Sequence, residues 1–168
     1  MTISMYAASA PAFIQGLKGL DIVLDKAAAY AAAKKVDPSV LLQTRVYPDM
    51  FAFARQIQIA TDGAKGCMAR LSGQTAPVFE DTESTIEELK ARVAKTIAYI
   101  ESFKAADIDG SEERDIVLKF PGSTFEFKGQ AFLVTWAMPN FWFHVTTAYA
   151  LMRGVGVDVT KGNYLGHA

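Results

Sequence analysis

Apolar residues recur through most of this chain at alternating spacings of three and four, the pattern of one buried face on a helix. Phe13, Leu17, Leu20, Leu24, Ala27 and Ala31 mark a first helix, which Pro11 would open in its first turn and which ends near Lys35. Its second half, KAAAYAAAKK, pairs high helix propensity with small side chains, so a neighbouring element can approach closely. Asp37-Pro38 then makes a turn or opens a short helix, and Val40, Leu41 and Leu42 are expected to fold back onto the bundle. Tyr47-Pro48-Asp49 predicts the start of a second long helix, with Pro48 in the first turn and the Asp49 carboxylate near the positive end of the dipole. Met50, Phe53, Ile57, Ala60, Ala64, Cys67 and Leu71 continue its stripe until Ser72-Gly73. Phe51 and Ile59 lie nearly opposite, which implies a second contact for this helix, within the fold or across a dimer.

Residues 73 to 81 form a connection, and Ser84-Thr-Ile-Glu87 has the form of a capping box. Ile86, Leu89, Val93, Thr96, Ile97, Ile100 and Phe103 mark a third helix, and the polar, acidic stretch from Ala105 to Arg114 reads as a loop. The period then changes to two. Ile116, Leu118 and Phe120 alternate with Val117 and Lys119, Pro121-Gly122 turns, and Phe125 and Phe127 alternate with Glu126 and Lys128, which predicts a hairpin. Gln130 to Ala137 is apolar and helical by pattern; Pro139 begins or kinks a last helix that Gly154 and Gly156 end. In the tail DVTKGNYLGHA, Tyr164 and Leu165 are the expected anchors. The predicted fold is mainly all-α: one domain over 1–168, an up-down four-helix bundle with a small β-hairpin between helices three and four.

Composition narrows the function classes. Lys+Arg of 17 against Asp+Glu of 18, with the basic residues scattered, leaves no electrostatic footprint for nucleic acid. The 51% hydrophobic content is high, yet no run approaches the roughly 20 apolar residues of a membrane helix. The surplus apolar surface therefore points to an oligomer interface, most simply a homodimer that also uses Phe51, Ile59 and the aromatics near Trp142. One cysteine excludes an internal disulfide, and the start MTISMYAASAPAF lacks the positive flank of a secretory signal, so the expected location is cytoplasmic.

Candidate chemistry centres on PNFWFHVTTAYALMRGVGV, where Asn140, Phe141, His144, Ala148, Leu151 and Val155 share one helical face. His144 therefore points where leucines normally point, and a ring there needs a partner. Helix two offers Asp49, about 50° from the centre of its stripe at about 100° per residue, with Gln56 seven residues further on. The expected polar spot joins His144 and Asp49 as catalytic or acid-base groups with Asn140 and Gln56 as ligand-binding groups. The plain alternative gives each residue a structural role, with Asp49 complementing a helix dipole, Asn140 capping and His144 making one core hydrogen bond. Cys67 falls on the apolar stripe and reads as an inert thiol. His167 reads as a tail residue that reaches the site only if the tail folds back. Trp136, Phe141, Trp142 and Phe143 fit core, interface or a ligand pocket, and Glu87-Glu88 and Glu112-Glu113 read as solvated charges.

Through YPDMFAFARQIQIATDGAK, PNFWFHVTTAYALMRGVGV and the KGNYLG tail, nearly the whole chain resembles the DinB and YfiT-like superfamily of proposed metalloenzymes, within it a bacterial branch known only as a domain of unknown function. The resemblance implies a divalent metal held by one histidine of helix two and a His-x-x-x-His pair of helix four, in thiol transferases or thiol-dependent isomerases. Carried onto this sequence, the second histidine of the pair is His144, the first falls on Asn140, and helix two has no histidine. A transition metal wants three or four ligands from His, Cys and carboxylates, so no tightly held metal or other cofactor is expected. Two functions remain open: a small-molecule enzyme, thiol-transferase-like or hydrolase-like, with a degenerate metal site, or a non-catalytic small-molecule-binding or structural homodimer.

Overall fold

The computed structural model describes residues 3–167 and is mostly helical. Helix α1 spans Met5–Lys34, capped by Ser4, whose Oγ accepts from the Ala7 N–H at 3.3 Å. It thus starts six residues before Pro11, which lies inside the helix and not in its first turn. Two residues upstream of the proline, Ser9 donates to the Met5 carbonyl at 2.6 Å, and the turn holds. Lys35, in the left-handed region at φ 57, ends the helix where the pattern expected. The short α2 (Pro38–Leu42) buries Leu41 and Leu42 but leaves Val40 exposed.

Helix α3 spans Phe53–Ser72, and its start corrects the sequence reading. Tyr47 to Met50 form a turn closed by the Met50 N–H on the Tyr47 carbonyl at 3.0 Å, and the chain then runs extended through Ala52. Proline at the second position of a turn and proline in a first helical turn adopt the same φ, so Tyr47-Pro48-Asp49 fits both. The carbonyl of Thr44 decides it by taking the Phe53 N–H at 2.9 Å. Helix α4 (Ile86–Glu101) does open on a capping box, shifted one residue to Thr85 and Glu88. The acidic stretch after it contains a further short helix, α5 (Ala105–Ile108), because Ile108 is fully buried.

Strands β1 (Asp115–Phe120) and β2 (Ser123–Lys128) pair antiparallel with Ile116 opposite Phe127 and Phe120 opposite Ser123. Ile116 and Leu118 face the bundle, and Gly122 supplies the positive φ of 80 that the turn needs. A continuous helical run follows: α6 (Gly129–Phe132), a π-helical segment (Leu133–Ala137) and α7 (Met138–Gly154). Pro139 has no N–H to give and its ring crowds the carbonyl four residues back, a conflict that a wider π turn just before it relieves. Helices α1, α3, α4 and α7 enclose the core, with α3 packed most extensively on α7. The tail is held more firmly than Tyr164 and Leu165 alone would allow. Val157 and Val159 are fully buried, and α8 (Lys161–Tyr164), boxed by Thr160 and Asn163, lies against α1 at Gly19. No helix among the described residues is long and apolar enough to cross a membrane.

Candidate functional site

Packing of α7 on α3 brings His144 to Gln56, and the two side chains meet at 2.7 Å through Nδ1 and Oε1. The Gln56 amide cannot turn over freely, because its Nε2 donates to the Phe51 carbonyl at 2.9 Å. Its oxygen is therefore left to accept, so Nδ1 of His144 carries the proton and Nε2 carries the lone pair. No hydrogen bond from the described residues reaches Nε2. Nε2 is not one of the fully enclosed, unpartnered polar atoms of the described residues, although His144 as a whole is only 8% exposed. Phe143 stacks edge-on against the imidazole at 5.2 Å. Burial first, and then the positive charge of Arg55, holds the His144 pKa below its ordinary range. The ring is neutral at neutral pH, with its tautomer fixed by Gln56 and its basic nitrogen unpartnered among the described residues.

Of the four residues expected in one polar spot, the structure brings together His144 and Gln56 and leaves Asp49 and Asn140 apart from them. Asp49 sits in the exposed turn that replaces the expected helix start, and no hydrogen bond among the described residues links it to His144. Asn140 is exposed on α7. Four residues advance a helix by about 400°, so Asn140 lies about 40° round from His144, on the side facing solvent, whereas Phe141 on the other side is buried. Val155, assigned to the same buried face, is also exposed at the helix end. These donors do not fit the superfamily's metal. One imidazole nitrogen and an amide already engaged by its own neighbours make a poor set, and among the described residues no three His, Cys, Asp or Glu side chains are placed so that they could hold a metal ion.

Asn140 instead lines a groove of about 270 Å³ between α3 and the hairpin, together with Arg55, Asp62, Arg70, Phe120 and Trp136. Cys67 is fully buried and desolvation pushes its thiol far above the ordinary range, so it is inert as expected. The tail does fold back, yet the His167 side chain is exposed beside α8. Phe141 is core, Trp142 packs between Phe141 and Tyr164, Trp136 faces the groove and Phe143 is exposed. Sequence reasoning missed Arg92. Its buried guanidinium bonds Thr61 at 2.7 Å and the Glu80 carbonyl at 3.0 Å, and pairs with Glu83, Asp62 and Asp81 at 2.9 to 3.0 Å. The signal was present: Arg92 stands three residues after Leu89 and four before Thr96, both inward positions of α4.

A family model, that of a domain of unknown function, DUF1993, matches residues 5–165. The chain belongs to the DUF1993 family. The DUF1993 chain is also similar to a DinB family member protein from Shewanella denitrificans whose crystal structure is solved, at 42% identity and a TM-score of 0.87 over 97% of this chain and 92% of that one. Its fold is therefore DinB-like, as the bundle, hairpin and last helix imply. Comparison with curated proteins returns no match.

Proposed function

We propose that this DUF1993 protein is a small-molecule enzyme in which His144, and no bound metal, is the general base. The observation that carries the reading is the chain from the Phe51 carbonyl through the Gln56 amide to Nδ1, which leaves Nε2 basic, oriented and without a hydrogen-bond partner among the described residues. Such a nitrogen takes a proton from a water or thiol nucleophile, and the imidazolium so formed strengthens its hydrogen bond to Gln56 Oε1. Arg55 favours the neutral resting ring and would stabilise an anionic substrate or transition state. Hydrolytic and thiol-transfer chemistry both fit this arrangement. Diethylpyrocarbonate, which acylates neutral accessible imidazoles, tests it without knowledge of the substrate. In a His167→Ala background, His144 should be acylated at neutral pH, and its NMR signals should show the Nδ1–H tautomer. An inert His144 would remove the base from the reading.

A second reading is a non-catalytic homodimer. Phe51 and Phe143, exposed by 54% and 55%, stand at the two ends of the Phe51–Gln56–His144 chain, Tyr47, exposed by 64%, lies in the turn just before it, and a second copy would cover them. Trp142, already packed within the fold, adds nothing to that face. Sedimentation distinguishes the readings: a dimer that blocks acylation of His144 favours the second, and a monomer at micromolar concentration removes it.

A further inference from the structure

The groove between α3 and the hairpin has a charge balance and a glycine that the bundle itself does not need. Its single carboxylate, Asp62, is already engaged, since Lys65 and Arg92 both pair with it, at 2.8 and 2.9 Å. Arg55 is shared with Asp81 and with Gln58 Oε1. Arg70 has no carboxylate partner among the described residues, although it lines the same groove. The groove is therefore net positive, and it has one uncommitted guanidinium able to grip a planar anion through two parallel hydrogen bonds.

Gly63, in the middle of α3, also lines it. A Cβ there would meet nothing within 4 Å, and its φ is not positive, so neither packing nor backbone conformation calls for glycine. Glycine at a helix interior costs about 0.5–1 kcal/mol relative to alanine. Here it leaves that stretch of the groove wall without a side chain. The opposite wall is aromatic: Phe120, 49% exposed, and Trp136 lie 6.2 Å apart, with their rings tilted by only 34°. Trp136 and Ala137 both come from the π-helical segment, a helix form that recurs at binding sites because it re-aims side chains.

We propose that this groove binds a small aromatic carboxylate, its ring against Trp136 and Phe120 over Gly63 and its carboxylate on Arg70. The volume, about 270 Å³, lies just below that of drug-sized ligand sites and suits a ligand of one or two rings. Calorimetric titration with benzoate, phenylacetate and 2-naphthoate, each beside its neutral amide, tests the proposal. At least one acid should bind at millimolar concentration or tighter, with its amide weaker by about tenfold or more. Arg70→Gln should abolish the preference for the acid, and Gly63→Leu should abolish binding of both, while circular dichroism and unfolding midpoints show each variant folded. The conservative Arg70→Lys should recover part of the preference. No binding by any acid, equal binding of acid and amide, or binding unchanged in Gly63→Leu would each overturn it. Binding is read here without turnover, so a failure leaves the His144 proposal standing, and an inert His144 leaves this one standing.

Discussion

At the scale of the residue, the tautomer and charge of one histidine are set by an amide. Gln56 is itself oriented by Phe51, so replacing it changes chemistry as well as stability. Gln56→Leu should leave Nδ1–H of His144 without an acceptor and cost about 1–3 kcal/mol in urea unfolding, and the nitrogen shifts of His144 should move from a single tautomer to a mixture. The titration has a definite sign. His144 has a folded pKa below the ordinary 6.5, so the unfolded chain binds that proton more readily. Its contribution is fully present above about 6.5 and is lost as pH falls through the depressed folded value. Unfolding midpoints measured across the mildly acidic range should therefore fall for the native chain, and His144→Gln should flatten that part of the slope. The sequence offered Gln56 as one of three candidate partners of His144, because His144 stands on an inward stripe and Gln56 borders one. It could not separate them from Asp49, since a proline turn and a proline-led helix start share one local signature, nor from Asn140, which lies only about 40° away on the same helix.

At the scale of the element, glycines in long helices have opposite meanings that only packing distinguishes. A Cβ at Gly16 of α1 would come within 2.6 and 2.8 Å of the Phe141 ring, itself locked edge-on against Phe13 at 5.0 Å. Gly16→Ala should thus destabilise the protein by about 1–3 kcal/mol through overpacking, read as a lower unfolding midpoint. Gly63→Ala, on α3 with open space at its Cβ, should do the reverse and stabilise by about 0.5–1 kcal/mol. If both substitutions destabilise, the open space at Gly63 does not exist in solution. The elements themselves were largely legible, because stripes of Phe, Leu and Ile persist for several turns and the period-two stretch is bounded by Pro121-Gly122. The starts of α1 and α3 were not, since both depended on reading a proline as a boundary. Ser4 supplied an earlier cap in one case and the Thr44 carbonyl a later start in the other. The π segment was hidden too, for its residues carry the same apolar pattern as an ordinary helix.

At the scale of the whole molecule, the connection between α3 and α4 is tied to the bundle by one buried cation. Arg92 gathers Asp62 from α3 with Asp81 and Glu83 from the connection, and Phe79 lies near both Lys65 and Lys95, at 3.8 and 4.1 Å from its ring centre. Arg92→Leu should cost about 2–3 kcal/mol, less than for a fully buried pair because Asp62 and Asp81 keep much of their hydration. Amide exchange should rise first in residues 79 to 83, and a loss spread evenly over the molecule would contradict this account. The apolar pattern by itself determined the class of fold, the four long helices, the hairpin and the inward placing of His144. Each of these follows from periodicity, which is a local property of the chain and survives uncertainty at element ends. Tertiary structure alone decided which polar groups meet. Asp49 went to solvent, Gln56 became the partner that sets the histidine's tautomer, Arg92 became a buried hub, and Arg70 was left in the groove with no carboxylate partner among the described residues. Side-chain partnerships across helices depend on rotation and register fixed by the packed core as a whole, and no spacing within one helix encodes them.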